Sequence, residues 1–333
     1  MRAVAFFQHG GADVVQTVED WPEPVPAENE VVVQVEACSL NRMDILVRRG
    51  LPGVPTPLPR VPGADIAGIV IECGASVDEG MLGRRVLVDP MITLPNGKAG
   101  ALGENADGGL VERIAVPEAN IIALPDSVTF EQAAALPIAY GTAYRLLVTR
   151  GRVSHGDTVV VLGASGGLGT GAVQIAAMRG AEVIAVASSD EKLRRLAQLG
   201  AAHLVQARGA DYGSKVWKLT AKKGADVIVD TIGAETWPTT LRTVACGGRI
   251  LVCGATTGFD VQTDLRYVWV REATVIGSDG CRREDLKELL ALVAQRKLVP
   301  VIDRVVGFSE VSAAEKAMEN RSIFGKIVVS PRK

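Results

Sequence analysis

The sequence predicts an α/β protein that combines a mostly-β part with a doubly wound parallel sheet. Before residue 128, short β-branched runs are separated by Pro and Gly clusters, a pattern typical of strands and turns. From residue 157 onward, apolar strand-like runs alternate with helix-like runs over short links. Right-handed crossovers turn such an alternation into a parallel sheet with helices on both faces.

The bulk composition narrows the class of function. A chain of 333 residues suggests two domains, and a net charge of −2 argues against nucleic acid or an anionic membrane as the main partner. No secretory signal or membrane-length apolar run is visible, and the five scattered cysteines suggest a reducing compartment. We expect a cytoplasmic protein that acts on small molecules, with Cys246 and Cys253 as small core residues.

The individual elements follow from local patterns. In the mostly-β part, strands are predicted at 30–37, 64–74, 84–90 and 110–116, and the Pro-rich segment 48–63 is predicted to be a loop. In the α/β part, strands are predicted at 157–164, 181–187, 202–207, 225–233, 249–255 and 273–278, with helices between them. The helix after 225–233 is expected to continue to residue 248, and a further helix is expected at 283–297, followed by two strands.

A glycine-rich turn follows the first strand of the α/β part. In "VVVLGASGGLGTGAVQIA" the glycines lie between a buried strand and a helix, which is the context that a dinucleotide-binding turn needs. Gly166 lets the backbone approach a pyrophosphate, Gly169 lets the helix pack on the strand, and the first N–H groups of the helix face the phosphates. The first position of the fingerprint is Ala164, with Gly163 beside it.

The residues after the next strand favour NADP(H) over NAD(H). A site for NAD usually has an acidic residue there, which binds the ribose 2′-OH and repels a 2′-phosphate. Here the strand ends at Ala187, and Ser188, Ser189 and Lys192 follow. Asp190 is the counter-argument, but it lies past the strand end, where acids favour the first turn of a helix.

Taken together, these motifs resemble the medium-chain dehydrogenase/reductase superfamily over the whole chain. The resemblance is carried by "MRAVAF", "VPGADIAG", the glycine turn with its flanking elements, "GADVIVDTIG", "GGRILVCGA" and "FGKIVVS". It implies a GroES-like catalytic β domain of residues 1–125 and 279–333 around a Rossmann NADP-binding domain of residues 126–278. It also implies an active cleft between the domains, and a homodimer or homotetramer with the strand near 273–277 at a subunit edge.

The superfamily has a zinc-dependent branch, and the register of its ligands can be tested on this sequence. The first ligand of that branch lies in a Cys-x-x-Asp pattern, so counting back from Asp44 gives Asn41 and leaves Cys38 as a packed thiol. The Gly-His-Glu triplet of the branch reads Gly63-Ala64-Asp65, and its remaining cysteine falls at Ile138. Zinc needs three or four nitrogen, sulfur or carboxylate ligands, so we predict no metal.

A metal-free site of this kind resembles the quinone oxidoreductase branch. Such proteins reduce quinones or the C=C bond of α,β-unsaturated carbonyls with NADPH. The predicted catalytic residues are Asn41 and Tyr140, although Tyr140 is equally expected as a packed aromatic residue. Cofactor contacts are predicted for the following residues: Thr142, Ala164, Ser165, Gly166, Gly167, Leu168, Gly169, Ser188, Ser189, Lys192, Gly254, Ala255, Gly277, Ser278 and Lys326.

The sequence leaves three functions open. The first is an NADPH-dependent quinone or enone reductase, the second is a zinc-free carbonyl or enoyl-thioester reductase, and the third is an NADPH-binding sensor or structural protein with little turnover. The intact glycine turn is compatible with all three. The loops at 48–62 and 89–107 are expected to line the mouth of the cleft, but their sequence does not identify a substrate.

Overall fold

The computed structural model describes residues 1–50, 56–94 and 96–333, so part of the predicted loop 48–63 and one residue of 89–107 lie outside the described residues. The chain divides into two compact units. Residues 1–138 and 282–333 form the first unit, and residues 139–281 form the second.

The strands, in chain order, are these: β1 Ala3–Ala5, β2 Gln16–Val18, β3 Glu30–Ser39, β4 Asp65–Cys73, β5 Arg85–Val88, β6 Met91–Thr93, β7 Ala99–Ala101, β8 Arg113–Pro117, β9 Ile121–Ala123, β10 Thr158–Val161, β11 Glu182–Ala187, β12 His203–Gln206, β13 Ala225–Asp230, β14 Val244–Val252, β15 Thr274–Gly277, β16 Ile302–Val306 and β17 Lys326–Val329.

The α-helices are these: α1 Arg42–Arg49, α2 Phe130–Ala134, α3 Gly141–Tyr144, α4 Gly167–Met178, α5 Asp190–Gln198, α6 Gly213–Leu219, α7 Trp237–Thr243, α8 Leu265–Val270, α9 Arg283–Ala294 and α10 Val311–Glu319. Wider π-helical turns at Leu136–Tyr140 and Arg145–Arg150 flank α3. Short 3₁₀ turns lie at Ala12–Val14, Glu79–Met81, Glu118–Asn120, Gly209–Tyr212 and Phe308–Glu310. None of the helices in the described part of the chain combines the length and the apolar character of a membrane span.

The first unit is built around β3. The sheet order is β16-β17-β3-β4-β5-β9, and β8 also pairs with β3. Val31, Val33 and Val35 of β3 contribute to the apolar core of this unit. Ser39, at the end of β3, pairs with Asp65 of β4 on one side and with Val328 of β17 on the other. The end of β3 therefore lies beside the starts of β4 and β17, and the polar residues of the site lie at this place in the sheet.

The second unit contains a six-stranded parallel sheet in the order β12-β11-β10-β13-β14-β15. Its central strand β10 is buried from Val159 to Val161, as expected for a strand covered by helices on both faces. The strand order reverses between β10 and β13, and ligands bind outside the carboxyl ends of the strands at such a switch point. The doubly wound prediction is confirmed.

Two local predictions are wrong, and one helix was not predicted. Helix α1 lies in the mostly-β part, where the Asp44 carboxylate accepts the N–H of Asn41 and caps a helix of eight residues that is too short to show periodicity. The segment 244–248 belongs to β14, since α7 ends at Thr243. Cys246 is exposed and Cys253 is partly buried, so Cys246 is not a core residue.

Candidate active site

A buried polar cluster lies at the ends of β3, β4 and β17. We define it by Ser39, Asn41, Asp65 and Lys326, whose exposed fractions are 0%, 5%, 0% and 2%. The antiparallel register between β3 and β17 brings the start of β17 beside the residues that follow β3. Sequence analysis found Asn41, Asp65 and Lys326 separately but missed Ser39, which looked like an ordinary strand-end residue.

Asp65 is the centre of this cluster. Its Oδ2 accepts hydrogen bonds from Ser39 Oγ at 2.8 Å, from Asn41 Nδ2 at 2.8 Å and from Lys326 Nζ at 3.0 Å. Its Oδ1 accepts the backbone N–H of Ile138 at 2.8 Å. A carboxylate that is fully removed from water is stable only with such partners, and here both oxygens have them.

The chemistry of its neighbours fixes the orientation of the Asn41 amide. The ammonium group of Lys326 can only donate, so the amide oxygen Oδ1 faces it at 2.5 Å. The carboxylate of Asp65 accepts, so the amide nitrogen Nδ2 faces Asp65. The second hydrogen of Nδ2 makes only a long contact of 3.4 Å with the carbonyl oxygen of Ser39. The weakest hydrogen bond of the Asn41 side chain is therefore one that its Nδ2 donates.

Two further ionisable groups border the cluster. Asp44 Oδ2 accepts the N–H of Asn41 at 2.6 Å and its Oδ1 accepts the N–H of Gly63 at 3.0 Å, so Asp44 caps α1 and ties the loop before β4 to it. Burial raises the pKa of Asp44 to about 6, although both backbone bonds act in the opposite direction. Cys38 is fully buried, and burial raises the pKa of its thiol, so it is a packed core residue.

The residues of this cluster do not fit a zinc ion. The structure brings together Asn41, Asp65 and Ile138, as the register of the zinc-dependent branch implies. Asn41 supplies an amide, however, while Ala64 and Ile138 have no ligating side-chain atom. The remaining carboxylate, Asp65, is bonded to an ammonium group. In the described part of the chain, no group of three or more His, Cys, Asp or Glu side chains is arranged to hold a metal.

The glycine turn of the second unit has the geometry of an anion site. Gly166 is the N-cap of α4 and offers no capping side chain, so the first N–H groups of α4 have no partner from the cap. A Cβ atom added at Gly166 would meet only Gly163 O, at 3.6 Å, and thus lies beside open space. At Gly169 a Cβ atom would be 2.4 Å from Gly163 O and 2.6 Å from two atoms of Ala164. The two glycines therefore have different roles: Gly166 leaves space open beside the turn, whereas Gly169 allows α4 to pack closely on the turn that follows β10.

The carboxyl end of β11 has the polar residues that the sequence predicted. Ser188 is exposed directly after the strand, whereas Ser189 is the N-cap of α5 and its hydroxyl accepts the N–H of Lys192 at 3.4 Å. Asp190 is the first residue of α5, which confirms that it lies past the strand end in a helix first turn. Ser188 is thus the residue at this edge whose side chain is most open to a ribose or phosphate.

The neighbouring strands contribute further residues at the same edge of the sheet. Gly254 and Ala255 lie just after β14, Gly277 is the last residue of β15, and Ser278 follows it. Ser278 donates its N–H to Val252 O at 3.0 Å. Its hydroxyl oxygen is buried and has no hydrogen-bond partner among the described residues. A buried hydroxyl of this kind needs a partner, and a bound ligand or water can supply it.

Three other predicted residues are buried or already bonded within the protein. Thr142 is buried in α3. Tyr140 is fully buried over Gly171 of α4, and its hydroxyl lies 3.3 Å from Thr170 Oγ1 and accepts from Gln174 Nε2 at 3.2 Å. Lys326 belongs to the first unit, where its ammonium hydrogens have three protein acceptors. These contacts favour the packing role for Tyr140 and give no support to Lys326 as a phosphate ligand.

Comparisons with known proteins agree with this architecture. Residues 27–126 match the alcohol dehydrogenase GroES-like domain family, and residues 167–295 match the zinc-binding dehydrogenase family. The human quinone oxidoreductase is 30% identical over 277 residues, which cover 83% of this chain and 79% of the human protein.

Two further similar proteins are a thioester reductase and a dehydrogenase of known structure. An acryloyl-coenzyme A reductase of Sulfurisphaera tokodaii is 26% identical, over 94% of this chain and 96% of that protein. A crystal structure of an NAD-dependent alcohol dehydrogenase superposes with a TM-score of 0.93 at 34% identity, and the match covers 99% of both chains. The GroES-like domain match, the six-stranded parallel sheet and these relatives place the chain in the medium-chain dehydrogenase/reductase superfamily.

Proposed function

We propose that the chain is an NADPH-dependent reductase that transfers hydride to a quinone, or to the C=C bond of an α,β-unsaturated carbonyl, without a metal. The observation that carries the proposal is the polar cluster. By resemblance the cluster corresponds to the catalytic site of the superfamily, and it supplies hydrogen-bond donors where that site has metal ligands. The similarity to quinone oxidoreductases supports the same substrate class.

The chemistry of the substrate explains why a metal is not required. Bound NADPH supplies a hydride to a conjugated carbon that is already electrophilic. Negative charge then develops on the carbonyl oxygen, where a positioned donor stabilises it. Oxidation of a simple alcohol differs, because the alcohol must first lose a proton and zinc usually assists that step.

Asn41 is the donor that we propose for the carbonyl oxygen. One hydrogen of its Nδ2 is held by Asp65, whereas the other makes only the 3.4 Å contact with Ser39 O. That second hydrogen is given up at low cost, because a bond of this length contributes little. The first hydrogen and the amide oxygen meanwhile keep the side chain in place.

NADP(H) is the proposed cofactor, and the second unit has the residues to hold it. The pyrophosphate would bind at the turn formed by Ala164, Ser165, Gly166, Gly167, Leu168 and Gly169. Open space beside Gly166 and the N-terminus of α4 support this position. Ser188 and Lys192 would bind the 2′-phosphate, and Ser278 has an unpaired hydroxyl within the described chain.

An enoyl-thioester reductase is the second candidate. The likeness to the acryloyl-coenzyme A reductase of S. tokodaii, which extends over 94% of this chain, favours it. Both reactions reduce a polarised C=C bond, so the residues discussed above would serve either. The two candidates differ in the substrate that the remaining surface accepts.

A self-associating edge and a cytoplasmic location are further parts of the proposal. β15 forms the edge of the six-stranded sheet, and Val275 in its middle is 48% exposed. Unpaired edge strands are templates for pairing with a second copy, which supports a homodimer or homotetramer. Sedimentation of Val275→Lys, with Lys287→Met as a surface control, should give a smaller species if this edge joins the subunits.

NADPH oxidation by chelator-treated protein tests the function. Naphthoquinone, a small enone and crotonyl-coenzyme A are compared as substrates, each with NADPH and with NADH. We expect turnover with the quinone or the enone, faster with NADPH, and unaffected by the chelator. Preference for the thioester would favour the second candidate. Binding of NADPH without turnover of any substrate would contradict both reductases and leave the sensor role.

A further inference from the structure

We propose that Asp230 positions the part of the cofactor site that would receive the nicotinamide. It acts through two short segments: residues 231–233, here called the β13 loop, and residues 254–258, here called the β14 loop. The inference rests on the proposed function, because it concerns the site for NADP(H). Asp230 is the last residue of β13 and is 1% exposed. A carboxylate that is removed from water in this way needs hydrogen-bond partners, and these partners show what it holds in place.

The hydrogen-bond partners of Asp230 follow it closely in the chain. Its Oδ1 accepts the backbone N–H of Ile232 at 3.0 Å and of Gly233 at 3.1 Å. The hydroxyl oxygen of Thr236 lies 2.9 Å from both carboxylate oxygens, and the hydroxyl of Thr240 donates to Oδ2 at 2.6 Å. Because these donors are neutral groups of the β13 loop and of α7, the carboxylate fastens that loop to the helix after it.

The β13 loop in turn holds the β14 loop. The carbonyl oxygen of Ile232 accepts both the backbone N–H of Thr257, at 2.8 Å, and its hydroxyl, at 2.7 Å. Gly233 has a positive φ of 87°, and a Cβ atom added there would lie 2.7 Å from the Cβ atom of Ala255. The two loops are therefore both hydrogen-bonded and in close contact, so the position of the β14 loop depends on the conformation that Asp230 gives to the β13 loop.

The topology of the sheet indicates which half of the cofactor depends on these loops. The turn after β10 and the edge after β11 would take the pyrophosphate and the adenosine ribose, so the nicotinamide half would lie over β13, β14 and β15. Asp230 pairs with Val252 at the end of β14, and the β14 loop begins with Gly254 and Ala255, two of the predicted cofactor contacts. A change at Asp230 should therefore disturb the nicotinamide half and spare the adenosine half.

Calorimetric titration with two ligands tests this selectivity. NADPH carries both halves, whereas adenosine 2′,5′-bisphosphate carries only the adenosine half with its 2′-phosphate. Asp230→Asn keeps the size of the side chain, but an amide has one accepting oxygen and cannot accept all of these hydrogen bonds. We expect it to weaken NADPH binding about tenfold and bisphosphate binding less than about twofold. Asp226→Asn is the control, because Asp226 accepts the N–H of Thr158 at 2.8 Å at the amino end of the same strand, and it should change neither affinity.

Thr257→Val tests the same connection at its other end. This variant keeps Asp230 but removes the hydroxyl that donates to Ile232 O and accepts the N–H of Glu235 at 3.1 Å. We expect a loss of NADPH affinity of about threefold, again without a loss for the bisphosphate. If Asp230→Asn does not fold, Thr257→Val decides, because Thr257 is only partly buried. Unchanged NADPH affinity, or an equal loss for both ligands, would overturn the proposal.

Hydrogen exchange of the ligand-free protein supplies an independent readout. The N–H groups of Thr256 and Thr257 donate to the β13 loop at 3.2 and 2.8 Å, so Asp230→Asn should speed their exchange together with that of the β13 loop and leave residues 187–189 unchanged. Faster exchange in the β13 loop alone would overturn the proposal. A wild type that binds neither ligand would instead refute the proposed cofactor, and with it the site that Asp230 is proposed to hold. Wild-type binding without selectivity in the variants refutes only the role of Asp230.

Discussion

Replacing each of two glycines by alanine should separate cofactor binding from folding. At Gly169, an added Cβ atom would lie 2.4 Å from Gly163 O and 2.6 Å from Ala164 backbone atoms, so α4 would have to shift away from β10. Overpacking of this kind costs about 1–3 kcal/mol. At Gly166, the nearest atom would be 3.6 Å away, and the backbone (φ −79°, ψ 176°) suits any residue. Alanine is a poorer N-cap than glycine, which destabilises the fold, but it also restricts the unfolded chain, which stabilises the fold. Because the two effects nearly cancel, the free energy of unfolding should change by less than about 0.5 kcal/mol.

For cofactor binding the order should be reversed, with Gly166→Ala causing the larger loss of affinity. The methyl group at position 166 points into the open space where a pyrophosphate would approach, so Gly166→Ala should weaken NADPH binding about tenfold, or about 1.4 kcal/mol. Urea unfolding gives the stability, and quenching or enhancement of NADPH fluorescence gives the affinity. If Gly166→Ala binds NADPH like the wild type, or is as unstable as Gly169→Ala, the assignment of the turn is wrong.

Three further predictions concern the cofactor, the buried acids and Tyr140. Ser188→Asp should weaken NADPH binding about tenfold while sparing NADH, because a carboxylate repels the 2′-phosphate, and Asp190→Asn should have little effect; fluorescence titration with both cofactors checks this. Burial raises the pKa of Glu315 from 4.5 to about 7 although Arg48 opposes the shift. The folded chain therefore binds this proton more tightly than the unfolded chain, and stability falls as pH rises from about 4.5 to about 7. Glu315→Gln should remove about 2–3 kcal/mol of that dependence in urea unfolding at pH 5 and pH 8, and an unchanged slope would contradict it. Tyr140→Phe should cost about 1 kcal/mol of unfolding free energy and leave turnover nearly unchanged, whereas a hundredfold loss of turnover with intact stability would identify Tyr140 as a proton donor.

The parallel sheet could be predicted because its signals are local. Each of its strands is a short apolar run between turn residues, and the glycine turn lies at the junction of β10 and α4. The 3.6-residue pattern also predicted α5, whose apolar residues Leu193 and Leu196 are buried. In such elements the sequence near a residue determines what the residue does.

Short elements, and segments whose composition fits both a helix and a strand, were harder to predict. Helix α1 has only eight residues, and its start is held by the Asp44 carboxylate, which accepts the N–H of Asn41, rather than marked by periodicity. The segment after α7 carries two glycines and a cysteine, a composition that fits a helix end as well as a strand. Its pairing with β13 includes a register shift between Ala225 and Val227, and only the partner strand reveals this irregularity.

The polar cluster shows why a site can be located from sequence while its chemistry is not. Asn41 and Asp65 were found by counting along a family pattern, because spacing within one segment survives when ligands are lost. The partner that gives them meaning, Lys326, is separated from Asp65 by 261 positions along the chain. It meets them only because β17 pairs with β3 and β3 pairs with β4. From its own neighbours Lys326 looks like a residue that could bind a phosphate. Its burial beside a carboxylate makes it a partner of Asp65 and Asn41 instead, which no pattern within its own segment could reveal.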